Sequence, residues 1–289
     1  MQNIINGLPI AAVILLLAVG FAFLVKGADF FVEGSSSIAK KLKVPPIIIG
    51  LTIVAMGTSL PETAVSVTAS LVQNNELAVS NVVGSNIFNL MFVIGVCSIL
   101  TPIMVQKATV VRDIPLSLGC ALFLLVLGIS GLGDKAGMTL GHADGVIFLI
   151  VFAGYIFTMV RSAMKARAAG QKVEIEGVEE CDNMKELSYG KSILFLIVGA
   201  AAIAFGGDLT VDTASRIAIE LGMSQTLVGL TIVSIGTSLP ELVTSVVAAR
   251  KNEVDMAVGN AVGSNIFNIL MVLGISSAIS PVALIRENI

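Results

Sequence analysis

Two segments of this chain occur twice. GLTIVAMGTSLPE at residues 50–62 returns as GLTIVSIGTSLPE at 229–241, and NVVGSNIFN at 81–89 returns as NAVGSNIFN at 260–268. The offset is 179 residues in both cases, and a gapless alignment of 50–102 with 229–281 has 28 identities in 53 positions. The correspondence reaches further back, pairing Asp29 with Asp208, Val32 with Val211 and Glu33 with Asp212. Any fold must therefore contain two related halves. Each half must also house a Pro-Glu pair and a ladder of Thr, Ser and Asn within hydrophobic sequence.

The surroundings of these segments set the solvent. Hydrophobic residues make up 55% of the 289 and charged residues only 13%, and the mean hydropathy is +0.96. Soluble domains carry about a quarter charged residues, so the composition is that of an integral membrane protein. Apolar runs of about 20 residues read as spanning helices. They fall at 8–33, 45–72, 76–101, 113–132, 144–163, 190–213, 225–249 and 255–280. The expected fold is all-α with eight transmembrane helices. Barrel strands would be about half that length and alternate in polarity, and the sequence shows no such alternation.

The opening MQNIINGLPI has no basic residue ahead of its apolar run, which argues against a cleaved signal peptide. Cys97 and Cys120 lie in apolar stretches and Cys181 in a polar one, giving neither a disulfide framework nor metal-ligand spacing.

Lysine and arginine positions suggest an orientation. With the N-terminus outside, the inner loops hold Lys40, Lys41, Lys43, Lys107, Arg112, Arg161, Lys165, Arg167, Lys172, Lys185, Lys191, Arg250 and Lys251. The outer side holds Lys135, Arg216 and Arg286, and Lys26 falls within the first helix. Thirteen against three follows the positive-inside rule. The two Pro-Glu motifs fall on the second and seventh expected helices. An odd separation means that the copies cross the bilayer in opposite directions, the inverted-repeat plan of secondary transporters. Close packing of small residues would also preserve a duplication, but packing alone does not require the same acid twice. The expected organisation is a five-helix repeat over 1–165, a cytoplasmic linker over 166–189 and an inverted second repeat over 190–289. Glu174, Glu176, Glu179, Glu180, Asp182 and Glu186 make the linker a solvated acidic loop, too short for a folded domain.

Within each repeat, proline removes a backbone donor and its ring presses on the preceding turn. The second helix should open near Pro61, releasing carbonyls around Ala55 to Gly57, and Pro240 with Gly236 repeats this arrangement. Freed carbonyls survive in a membrane only against protein or a hydrated cavity. Thr58 and Ser59 are four and three residues from Glu62, so all three share a helix face. Asn81, Ser85 and Asn89 step by four along the next helix. Thr237, Ser238 and Glu241, then Asn260, Ser264 and Asn268, reproduce both faces. Asn86 and Asn265 lie off this ladder and suit helix packing.

An intramembrane carboxylate is a functional candidate with a partner to be named. No Lys, Arg or His is expected deep within a helix; Lys26 comes nearest, and Asp29 three residues on is its expected companion. Glu62 and Glu241 must then hold a proton or a metal cation. Every available ligand is an oxygen, which favours calcium and other hard ions. His142, the single histidine, sits beside Asp134 and Asp144 in a glycine-rich stretch and reads as a surface residue. The sequence has no Ser-His pair buried for hydrolysis and no Walker-type phosphate loop. An enzyme is not expected, and neither is a cofactor or a nucleic-acid partner.

With GTSLPE and GSNIFN both duplicated, the chain resembles the cation/calcium antiporter superfamily in its sodium/calcium exchanger branch, over nearly its whole length. The resemblance implies ten helices in two inverted halves of five. It also implies sodium-driven calcium export by alternating access, with the first and sixth helices sliding over a fixed core. Carried over by motif position, Glu62 and Glu241 correspond to shared calcium ligands that also serve sodium. Thr58, Thr237, Ser59, Ser238, Ser85 and Ser264 correspond to sodium ligands, joined by the backbone carbonyls of Ala55 and Ser234. Asn89 and Asn268 complete the ladder.

Two departures accompany the resemblance. The position of Asn268 is often Asp in the family, whereas this chain has Asn in both copies. A carboxylate charge of −2 then balances one calcium or two sodium ions, and any coupling through that acid is lost. Against that family pattern the ninth and tenth helices are expected to be missing from this sequence, through a shortened chain or through completion by another subunit or by self-association. The expectation is a sodium/calcium antiporter in a prokaryotic plasma membrane, N-terminus outside, with the bilayer, Ca2+ and Na+ as partners. A proton-coupled calcium antiporter and a non-transporting ion-binding membrane protein are the alternatives.

Overall fold

The computed structural model describes residues 4–5, 7–72, 75–103, 105–107, 109–130, 139–168 and 187–283. The helices are α1 (Ile10–Leu42), α2 (Pro46–Thr58), α3 (Leu60–Leu71), α4 (Leu77–Leu100), α5 (Thr109–Ile129), α6 (His142–Ala168), α7 (Tyr189–Glu220), α8 (residues 225–236), α9 (Leu239–Arg250) and α10 (Val254–Ile279). Strands β1 (Thr139–Leu140) and β2 (Val282–Ala283) pair antiparallel and tie the entry of α6 to the segment after α10.

Duplicated residues end helices in the same way. α1 stops at Lys43, a left-handed residue (φ 53°), where the Val44 N–H reaches back to the Ala39 carbonyl at 3.0 Å. Pro45 and Pro46 follow, and a residue before proline is steered away from the helical region. Gly222, 179 positions on, makes the same turn (φ 90°), with the Met223 N–H on the Ala218 carbonyl at 3.0 Å. Both are C-terminal caps built on the left-handed conformation.

α1 and α7 lie side by side and antiparallel along a seam of glycines spaced by seven. A Cβ on Gly34 would meet the Ser192 carbonyl at 2.7 Å, one on Gly27 the Ile203 nitrogen at 2.9 Å, and one on Gly20 the Thr210 nitrogen at 3.1 Å. Small residues let membrane helices approach backbone to backbone. Side chains join the helices beside this seam, where Phe23 meets Phe205, Phe30 meets Phe195 and Ser192 Oγ donates to Ser37 Oγ at 2.9 Å.

α10 is the centre of the molecule. Of its most apolar 18-residue window 78% is buried, against 22–33% in the other spanning helices. It packs on α2, α9, α5 and α6. Gly259 of α10 meets Gly50 of α2 so closely that a Cβ on Gly259 would lie 2.7 Å from the Ile47 carbonyl.

Among the described residues six helices are long and apolar enough to cross a membrane, or seven when α2 and α3, bent by 48°, count as one span. The expectation from sequence is eight. The remaining segment, 225–249, is helical in pieces: Gln225–Val228, a π turn over Gly229–Val233, Ser234–Gly236, and then α9. Sequence hydropathy does not register these interruptions. His142 opens α6 instead of lying in a loop, and it is exposed as expected, with its Nδ1 2.9 Å from the Ala278 carbonyl. Lys26 pairs with Asp29 at 3.6 Å. Asp134, Lys135, Cys181, Arg286 and the acidic stretch at 174–186 lie outside the described residues.

Candidate functional site

Four π-helical turns frame the duplicated motifs: Gly50–Val54 and Gly229–Val233 ahead of the two GTSLPE segments, and Asn89–Val93 and Asn268–Val272 at the ends of the two GSNIFN segments. Such turns insert a residue into a helix and concentrate at functional sites. Between the first pair and the glutamates the helices break. Ser59 (φ −85°, ψ 12°) separates α2 from α3, and Ser238 (φ −92°, ψ 4°) separates α8 from α9. Pro61 and Pro240 each stand in the first turn after the break, where a missing N–H is tolerated.

The opening differs in detail from the expectation. The Ala55 carbonyl is not released; it accepts the Ser59 N–H at 3.0 Å and the Thr58 hydroxyl at 3.3 Å. Proline acts on the carbonyl four residues before it, so the donor lost at Pro61 belongs to Gly57. The Ser234 carbonyl accepts the Thr237 hydroxyl at 3.4 Å, and Ser234 itself is exposed while Ala55 is buried.

Both breaks turn their glutamates inward, and Glu62 and Glu241 are fully buried. Each carboxylate is held by a serine of the opposite copy. Ser59 Oγ donates to Glu241 Oε1 at 2.8 Å, and Ser238 Oγ donates to Glu62 Oε1 at 3.2 Å. A serine of the same copy adds a second, longer contact, Ser85 to Glu62 at 3.5 Å and Ser264 to Glu241 at 3.4 Å. The threonines cross over as well: Thr58 donates to Asn260 Oδ1 at 2.9 Å and Thr237 to Asn81 Oδ1 at 3.3 Å. Asn81 in turn donates to Ser66 Oγ at 3.0 Å, and Asn260 to Ser245 Oγ at 2.9 Å.

Asn89 and Asn268 are oriented by the two asparagines off the ladder. The Asn89 amide donates to Asn265 Oδ1 at 3.2 Å, and the Asn268 amide donates to Asn86 Oδ1 at 3.1 Å. Asn86 and Asn265 donate their own amides to each other's backbone carbonyls at 3.3 and 3.1 Å, which fixes which end of each side chain accepts. Asn89 and Asn268 thus have their oxygens turned away from the clamp.

On the two glutamates and the ladder ends, four buried oxygens remain without a hydrogen bond: Glu62 Oε2, Glu241 Oε2, Asn89 Oδ1 and Asn268 Oδ1. Unpartnered acceptors in an apolar interior cost several kcal/mol each by transfer scales, on the order of 2–7, and native structures rarely leave them so. None of the ion pairs among the described residues involves either glutamate. No three His, Cys, Asp or Glu side chains converge as a metal cluster among those residues. Two carboxylates surrounded by neutral hydroxyl, amide and carbonyl oxygens instead suit a hard cation.

Glu62, Glu241, Thr58, Thr237, Ser59, Ser238, Ser85, Ser264, Asn89 and Asn268 are all buried in this layer, whereas the expected carbonyl ligands Ala55 and Ser234 are already bonded by Thr58 and Thr237. The sequence missed Ser66 and Ser245 as second-tier partners, although their i+4 spacing from the glutamates was available. It also assigned Asn86 and Asn265 to packing alone. A cleft of about 770 Å3 reaches the layer between α3 and α7, with Pro61 and Ala64 on one wall, Asp208 and Asp212 on the other, and Thr237 and Pro240 beside them.

A family model described as sodium/calcium exchanger protein matches residues 12–161 and 191–289. CaxA of Alkalimonas amylolytica is 40% identical over 263 residues, 91% of this chain and 79% of that protein. Sodium/calcium exchanger MaX1 of Methanosarcina acetivorans is 35% identical over 292 residues, 93% of this chain and 83% of the relative. The structure resembles the sodium-calcium exchanger NCX_Mj with a TM-score of 0.80 at 32% identity, covering 96% of this chain and 85% of that one. Over nearly its entire length, the chain belongs to the sodium/calcium exchanger protein family.

Proposed function

We propose that the chain is a cation/calcium antiporter that couples calcium movement to sodium by alternating access. The observation that carries this reading is the crossed arrangement of Ser59 on Glu241 and Ser238 on Glu62, which leaves one oxygen of each buried carboxylate unpartnered. Calcium takes about six to eight oxygens in flexible geometry. In this reading Glu62, Glu241, Asn89 and Asn268 supply the unpartnered four, and Thr58, Thr237, Ser59, Ser238, Ser85 and Ser264 add hydroxyls. The carbonyls of Ala55 and Ser234 extend the set for sodium.

Two carboxylates, with no third acid beside them among the described residues, give the site a charge of −2 when both are ionised, neutralised by one calcium or two sodium ions. Competition for the same charge is the physical basis of exchange. The antiparallel course of the duplicated helices α1 and α7 supports an inverted-repeat transporter divided at the 166–189 linker. The lysine distribution supports an outer N-terminus in a prokaryotic plasma membrane.

Calcium flux in proteoliposomes with imposed sodium or proton gradients tests the proposal. Flux driven by an opposing sodium gradient and indifferent to protons is the expected result. Flux driven by protons alone would assign proton coupling, and binding without flux would assign a non-transporting role.

A further inference from the structure

The two halves share a sequence pattern but not a packing state. α1 packs along α9, whereas their duplicates α7 and α3 are parted by the cleft. The packed face contains an ion pair that the parted face cannot form. Lys251, at the end of α9, places Nζ 3.3 Å from Asp29 Oδ1 and donates to the Asp29 carbonyl at 3.0 Å. The duplicate of Asp29 is Asp208, on the cleft wall, but the duplicate of Lys251 is Val72. Lys26 also reaches Asp29, at 3.6 Å, from within α1 itself, so it does not join helices.

We propose that Lys251–Asp29 is an ionic latch that holds α1 on α9 and biases the transporter toward the state in which only the α3–α7 side is open. The proposal rests on the alternating-access reading above. Exchanging the roles of the two halves would part α1 from α9 and close α7 on α3, and that exchange must break this pair and gains no equivalent one. The packed face also contains a group unsuited to permanent burial. Thr244 on α9 is fully buried with its hydroxyl unpartnered, and its duplicate, Val65, lines the open cleft. A hydroxyl that is hydrated whenever α1 lifts accounts for that placement. The pair is partly exposed, with side chains 26% and 33% accessible, so it supplies a bias and not a lock.

The test uses the full chain in liposomes, with the three native cysteines replaced by alanine and a single reporter cysteine at Thr244 or at Ala28, both fully buried on the packed face. Labelling by a membrane-impermeant maleimide reports opening of that face. Lys251→Gln and Asp29→Asn should each raise labelling about fivefold, the population change of a surface-strength ion pair. The double mutant should go no further than either single, and Lys251→Arg should label as the parent does. Unchanged labelling of both reporters in Lys251→Gln overturns the latch, as do effects of the two substitutions that simply add. Labelling in the parent with sodium or calcium supplied tests the underlying reading separately. Cation-dependent labelling with no effect of Lys251→Gln sinks the latch alone, and an effect of Lys251→Gln without cation dependence leaves the latch standing and sinks the sodium/calcium coupling.

Discussion

Ser59 and Glu241 are 182 positions apart in the chain and 2.8 Å apart in space. Ser59 stands at the break before Glu62, yet it serves the other glutamate. Truncating either crossing serine should therefore damage the carboxylate of the opposite copy. Ser59→Ala and Ser238→Ala each remove a hydrogen bond to a charged group, worth about 1.5–3 kcal/mol. Calcium affinity should fall roughly tenfold or more in each, measured by isothermal titration in detergent. A loss confined to one of the two would contradict the symmetric role assigned to them.

Glu62→Gln and Glu241→Gln should each abolish calcium flux while leaving a folded protein. Among the described residues neither carboxylate has a basic partner to strand, so the ion-free thermal midpoint should hold or rise. The calcium-dependent rise in midpoint should vanish. In the parent that rise corresponds to about 2.7 kcal/mol at a hundredfold excess over Kd. Parental flux in either mutant would show that the site lies elsewhere.

Asn86 does not belong to the ladder, but it orients Asn268. Asn86→Ala frees the Asn268 amide to turn its nitrogen inward, so calcium binding should weaken about tenfold. Adding Asn268→Ala to Asn86→Ala should cost little more, because both act through one oxygen. Binding curves for the two single mutants and the double decide the matter. Additive losses would make Asn86 a packing residue only.

Asn268→Asp places a third carboxylate in the layer and changes its ionised charge from −2 to −3. Exchange should then acquire a dependence on pH or on an additional monovalent cation that the parent lacks. Flux measured across a pH series in matched sodium gradients detects it. Superimposable profiles for mutant and parent would remove Asn268 from the ion site.

Gly259→Ala should destabilise the protein by about 1–3 kcal/mol through overpacking, since its Cβ meets the Ile47 carbonyl at 2.7 Å and the Leu51 nitrogen at 3.0 Å. Gly95→Ala should be neutral or stabilising by up to about 1 kcal/mol, because nothing lies within 4 Å of the added carbon. Thermal midpoints of the two variants should differ in this order.

The acids, hydroxyls and asparagine ladder were legible because a polar residue repeated at one offset inside apolar sequence stands out against its background. The direction of their hydrogen bonds was not. Helical spacing puts Ser59 and Glu62 on one face, but only the tertiary fold makes Ser59 reach across to Glu241. The π turns at Gly50–Val54 and Asn89–Val93 leave no hydropathy signature. Unequal coverage was hidden too. Gly95 and Gly274 are duplicates in sequence, but Leu149 and Phe148 of α6 press on Gly274, while among the described residues nothing lies within 4 Å of a Cβ added at Gly95. That difference comes from what packs on each helix and not from the helix itself.

The exchange of serines between copies has a hereditary consequence. A substitution at Ser59 is felt at Glu241, and one at Ser238 is felt at Glu62. Neither half can drift to a private solution, because each is tested through its twin. Thr244 and its duplicate Val65 stand outside this mutual audit, and there the two copies have parted.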